Sequence, residues 1–114
     1  MRKSAIKSTA RVTYELFCES LGLKIIPEFK VCKLKPHNRG MIICYDAAED
    51  EPARVIIKIS SRRGENENLV AVISTVLHEL IHQYQFEHKL PVEHDRLFAN
   101  FAADILASYN IDIK

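Results

Sequence analysis

The sequence predicts a single α+β domain over residues 1–114: an N-terminal helix, a three-stranded and mostly antiparallel sheet, a long apolar helix and a C-terminal helix. Three observations predict it. Near both ends, and again from Leu69, apolar residues recur at steps of three and four, the period of a helix packed on one face. Between these segments lie three short apolar runs separated by polar stretches that contain glycine or proline, the pattern of strands and turns. A chain of 114 residues has room for one core, which buries about two-thirds of the surface exposed by the unfolded chain.

The first helix is expected over residues 4–21. Ile6, Ala10, Tyr14, Phe17 and Leu21 form its apolar face, and Gly22 is a natural stop. Lys3, Lys7 and Arg11 fall on its polar side, where a wet face is a commoner role than a phosphate-contacting stripe. Lys24 to Leu34 reads as a strand whose start Pro27 bends or places at an edge. Pro36 to Gly40 is a turn by composition, with His37 as a solvent-exposed turn residue. Met41 to Tyr45 is the second strand and Asp46 to Pro52 an acidic loop. Arg54 to Ser60 is the third strand, with Val55, Ile57 and Ile59 on one face. Connections of moderate length suggest antiparallel neighbours throughout.

Asn66 is the expected N-cap of the next helix, flanked by Glu65 and Glu67 at the positive end of its dipole. That helix should run to about Glu87 and break at Leu90-Pro91. Residues 92–109 form the last helix, with Leu97, Phe98, Phe101, Ile105 and Tyr109 as its core stripe.

The composition is ordinary for a globular chain, 47% hydrophobic and 27% charged. No apolar run approaches the roughly 20 residues that span a bilayer. Met1-Arg2-Lys3-Ser4 has no apolar segment after it, so no secretory signal is expected. Cys18, Cys32 and Cys44 are odd in number and contain no C-x-x-C pair, which argues against a disulfide framework and a cysteine zinc site. Buried free thiols in a reducing compartment are the simpler reading, so an intracellular location is expected, cytoplasmic or nucleoid-associated. Charge is uneven along the chain. Residues 1–63 hold 13 Lys/Arg against 7 Asp/Glu, and residues 64–114 hold 3 against 8. A basic front half could meet DNA, although a solvated surface is its default explanation.

The chemistry lies in the long helix, at His78-Glu79-Leu80-Ile81-His82. This is H-E-x-x-H. Residues four apart leave one helix face a turn apart, so two neutral imidazoles there can share one Zn²⁺. Glu79 points to the neighbouring edge of that face, where a carboxylate can hold a water beside the metal as general base. Two solvated histidines on a surface helix are the bland alternative. The apolar setting opposes it, because polar groups beside a core are costly without partners.

A catalytic zinc usually takes three protein ligands. His88 lies six residues beyond His82, as in the metzincin pattern, but Gln85 occupies the place of that pattern's helix-breaking glycine. On a continuous helix His88 would be rotated by about 120° from His82, so it reads as an exposed helix-end histidine. His94 fits better: it begins the last helix and shares a face with Leu97, Phe98 and Phe101. A capping or surface histidine in the Glu93-His94-Asp95 cluster is the alternative, and Asp104 is the next candidate ligand.

His78-Glu79-Leu80-Ile81-His82 followed by His94-Asp95-Arg96-Leu97-Phe98 resembles the SprT-like zinc metallopeptidase domain of the SprT/Spartan family. That family has H-E-x-x-H, a variable gap, and a third histidine followed by an aromatic. The order of helix, three strands, motif helix and last helix is also similar. Asp95 stands where many members have glycine. The resemblance implies a minimal zincin-like domain in which His78, His82 and His94 ligate Zn²⁺ and Phe98 packs behind the third histidine. It implies hydrolysis of peptide bonds in protein substrates by metal-activated water, with Glu79 as general base and later proton donor. DNA-associated proteins, as in DNA–protein crosslink repair, are a substrate class known in the family. The alternatives are a non-proteolytic zinc-bound module that binds DNA or protein, and a metal-free helical interaction domain. The sequence names no separate oxyanion-stabilising residue: Tyr84 and Arg96 are near, but read equally as core and surface.

Overall fold

The computed structural model describes residues 1–113 and has the expected α+β architecture, three helices around a three-stranded sheet. Helix α1 spans Lys3–Phe17 and buries Ile6, Ala10, Thr13 and Phe17. It ends earlier than its apolar period suggests, but the expected stop is in place. Leu23 N–H donates to Cys18 O and Gly22 N–H to Glu19 O, the paired bonds of a Schellman turn, with Gly22 at φ 63°. Leu21 still reaches the core from this turn.

Strands β1 (Glu28–Cys32), β2 (Gly40–Tyr45) and β3 (Arg54–Ser60) lie in the order β1-β3-β2. β2 and β3 pair antiparallel, as expected. β1 and β3 pair parallel, so the sheet is mixed where the sequence suggests antiparallel neighbours throughout. Burial explains the difference. Val55, Ile56, Ile57 and Ile59 of β3 are all buried, on both faces of the strand, and such a strand belongs in the centre of a sheet. The chain reverses between β1 and β2 and again between β2 and β3. A central β3 must therefore run parallel to β1. β1 also starts at Glu28 rather than Lys24, because the N–H groups of Lys24 and Ile25 donate to the Glu87 carboxylate, at 2.8 and 3.2 Å.

Helix α2 (Leu69–Glu87) packs on α1, β2 and β3. Val72, Val76, Leu77, Leu80 and Ile81 are wholly buried, in one cluster with Ile6, Phe29, Ile57 and Ile59. Its N-cap is Asn68, whose side chain accepts from Ala71 N–H at 2.9 Å, and not Asn66. Asn66 is buried in the left-handed region at φ 48°, a conformation that asparagine tolerates better than most residues. Its amide donates to Arg39 O and Ser60 O and accepts from the Thr75 hydroxyl. Asn66 thus ties the segment before β2 and the end of β3 to the helix.

Helix α3 spans Arg96–Tyr109 and buries Phe98 and Ile105. It begins four residues later than the sequence suggests. Asp95 is its N-cap, accepting from Phe98 N–H at 3.1 Å, so His94 belongs to the connection and not to the helix. Among the described residues no helix is long and apolar enough to cross a membrane.

Candidate metal centre

The regular backbone of α2 brings the first two imidazoles together. His78 and His82, one turn apart, have ring centroids 5.0 Å apart. The connection before α3 adds His94, whose ring lies 4.9 Å from that of His78 and 4.8 Å from that of His82. The Nε2 atoms converge: His94 Nε2 is 2.9 Å from His78 Nε2 and 3.2 Å from His82 Nε2. Phe98 backs all three rings, at 4.8 Å from His78 and 4.9 Å from both His82 and His94. The three histidines chosen from the sequence are close enough to hold a metal ion.

Glu79 is 4% exposed, and its Oε2 is buried without a hydrogen-bond partner. Burial raises its carboxyl to about 7. A buried carboxylate oxygen left unpaired beside three converging imidazoles suits a centre completed by a cation and water, because an orphan polar atom is otherwise costly. Three neutral nitrogen donors are also a common set for a divalent transition metal. Burial and the proximity of His94 lower the His82 pKa, while Gln85 and Asp95 oppose that shift; burial is the largest effect. The net shift favours the neutral, metal-binding form.

Beside Glu79 and His78 opens a cavity of about 380 Å³, lined also by His37, Arg39, Gly40 and Thr75. Gly40, the first residue of β2, makes the close approach possible. A Cβ there would meet Thr75 Cγ2 at 2.7 Å and Glu79 Cγ at 3.4 Å. His37 is exposed in its turn, as expected, in the left-handed region at φ 68°.

The other candidates lie outside the cluster. His88 is exposed at the C-cap of α2 and stacks on Tyr84 at 4.1 Å. Tyr84 is half-buried between His88 and Phe101, the packing role weighed for it from sequence. Arg96 is exposed, and Asp104, also exposed, is not in the histidine group. The cysteines are free and half-buried rather than buried. Burial first, then Asp46 and Glu79, push the Cys44 thiol up to about 11, so it remains a thiol at neutral pH.

The sequence reading missed one participant. Gln85, noted only for standing in a glycine's place, is wholly buried and bonded to His82, to Glu93 O and to Asp95. Two of its three partners lie on another segment, so no local periodicity marks it. Comparison with family models, curated proteins and solved structures finds no match to this chain, and the reading of the site rests on its own geometry.

Proposed function

We propose that the protein is a zinc-dependent metallopeptidase of the SprT-like kind, acting inside the cell on protein or peptide substrates. The observation that carries this reading is the convergence of three imidazole Nε2 atoms beside a buried, unpartnered glutamate oxygen at the wall of a cavity. His78, His82 and His94 would hold the ion, and Phe98 keeps their rings packed. Zinc, when bound, would supply Lewis acidity that acidifies a water and polarises a scissile carbonyl.

The residues of the chain do the rest. Glu79 Oε2 takes the proton of the attacking water and returns it to the departing nitrogen. In the metal-free chain burial raises its pKa to about 7, and a cation bound beside it would lower that value toward the carboxylate that accepts the proton. The Leu77, Leu80 and Ile81 side chains exclude water behind the motif. β2 is an edge strand that begins beside Glu79, so an extended peptide can pair with its free main-chain groups and lie across the cavity.

Elemental analysis and a peptidase assay on the wild type and Glu79→Gln test the reading together. The expected result is about one zinc per chain in both. Turnover should fall by about 10²–10⁴ in the variant, because an amide cannot accept the proton. Full turnover by Glu79→Gln would remove Glu79 from the mechanism. Zinc in the wild type without any hydrolysis would favour the non-proteolytic zinc-bound module that binds DNA or protein.

A further inference from the structure

Gln85 lies three residues beyond His82 on α2 and is wholly buried. A side-chain amide has two ends with opposite needs: its oxygen accepts and its nitrogen donates two hydrogens. The nitrogen of Gln85 faces two oxygens that cannot donate, Glu93 O at 2.8 Å and the Asp95 carboxylate at 3.2 Å. The same Asp95 oxygen accepts from Phe98 N–H, which marks it as an acceptor. Reversing the amide would set oxygen against oxygen at both places, a costly arrangement for a side chain that is wholly buried. The orientation is therefore fixed, and Gln85 Oε1 faces His82 Nδ1 at 2.8 Å. An acceptor there requires Nδ1 to carry the hydrogen. His82 Nε2 is then bare, and it is the atom that lies 3.2 Å from His94 Nε2.

The same amide joins two pieces of chain. Its oxygen holds a ligand on α2, and its nitrogen holds the backbone and side chain on either side of His94. We infer that Gln85 is the positioning residue of the metal centre: it locks His82 in the tautomer whose Nε2 can bind a metal, and it ties the segment bearing His94 to the motif helix. The inference rests on the metal reading above, and it assigns the centre's preorganisation to one side chain. Partners of this kind raise the basicity of ligating imidazoles and fix their orientation.

Two measurements on the full chain separate the inference from the reading beneath it. The first is the ¹⁵N shift pattern of the His82 ring in metal-free wild-type protein. The expected pattern has Nδ1 protonated and Nε2 bare. An Nε2-protonated ring would overturn the inference whatever the metal does.

The second is Zn²⁺ affinity by chelator competition for the wild type, Gln85→Leu and Gln85→Glu. Gln85→Leu should weaken binding by about 10–100-fold and release the tautomer. Gln85→Glu keeps an acceptor for Nδ1–H but sets its second oxygen against Glu93 O and the Asp95 carboxylate. It should therefore retain the tautomer while losing the tie to the His94 segment, and wild-type affinity in that variant would overturn the tie. Wild-type affinity in a folded Gln85→Leu protein would overturn the inference. Should that variant not fold, the wild-type ring pattern and the glutamate variant still decide. A wild type that takes up no zinc would remove the metal reading instead, and the ring pattern alone would then judge the Gln85–His82 lock.

Discussion

His78 and His82 stand on α2, where backbone hydrogen bonds and a packed core set their positions. His94 stands on an exposed connection, where the Gln85 amide and the cap at Asp95 set its position. His82 is 6% exposed, and Leu77, Leu80 and Ile81 around it are wholly buried. His94 is exposed and its neighbours Glu93 and Val92 are too. One half of the cluster is therefore built by regular structure and the other by side chains that reach across a gap. The two halves should fail differently when broken.

The sharpest contrast is between His82→Ala and His94→Ala. Each should abolish stoichiometric zinc binding, because two imidazoles are too few for a tight site. Their stabilities should part. His82→Ala removes a buried ring from Phe98 and leaves Gln85 Oε1 unpartnered, which costs about 2 kcal/mol or more. His94→Ala deletes an exposed side chain whose contacts with His78 and His82 are at most partly buried, so its loss should be smaller, about 1 kcal/mol or less. Urea unfolding of the metal-free variants reads the difference. Equal losses of stability would erase the distinction between the two halves.

The same division explains what could be read from the sequence. The H-E-x-x-H pair was legible because a helix turns spacing into geometry without outside help, and the apolar period around it set the face. β3 was legible over Arg54–Ser60 because it is a short, β-branched apolar run bounded by polar residues. The direction of β1 was not, since parallel and antiparallel strands share one period, and only the central place of β3 decides between them. Asn66 and Asn68 carry the same capping chemistry two residues apart. What chose Asn68 was a set of long-range partners, Arg39 O, Ser60 O and Thr75, that occupied Asn66. His94 was found through its shared face with Phe98, yet it precedes α3 because Asp95 takes the cap. Gln85 is hidden for the same reason: two of its three bonds are made across segments.

The rigid half is also braced from the sheet side, at Gly40. Gly40→Ala should destabilise the protein by about 1–3 kcal/mol, the usual range for forcing a methyl group into filled space. The new Cβ would sit 2.7 Å from Thr75 Cγ2, and Thr75 cannot rotate away without breaking its bond to Asn66. Thermal unfolding measures this. An unchanged midpoint would mean that β2 can slide off α2, and that the wall beside Glu79 is softer than the packing implies.

On the other half, Asp95 has two duties that can be separated. Asp95→Ala removes the N-cap of α3 and one partner of Gln85, and should cost about 1 kcal/mol with weaker zinc binding. Asp95→Asn keeps a cap oxygen, so most of the stability should return. Denaturant midpoints for the pair, set against zinc affinity, show whether the cap and the ligand segment are coupled. Loss of the cap without any loss of affinity would mean that Glu93 O alone anchors His94 to Gln85.

The smallest effect is expected at the joint between the two halves. α2 closes with Leu90 N–H donating to Gln85 O and Lys89 N–H to Phe86 O, and Lys89 lies in the left-handed region at φ 56°. Glycine is the residue that usually fills this place, because a Cβ there crowds the carbonyl. Lys89→Gly relieves that crowding but loosens the unfolded chain. The balance should be a gain of about 0.5 kcal/mol. Denaturant unfolding of the metal-free protein measures it, and zinc affinity should stay the same, since Gln85 and not the turn sets the geometry of His94. A gain in stability accompanied by weaker zinc binding would place part of the third ligand's positioning in the backbone of the turn, and so narrow the contrast between the two halves.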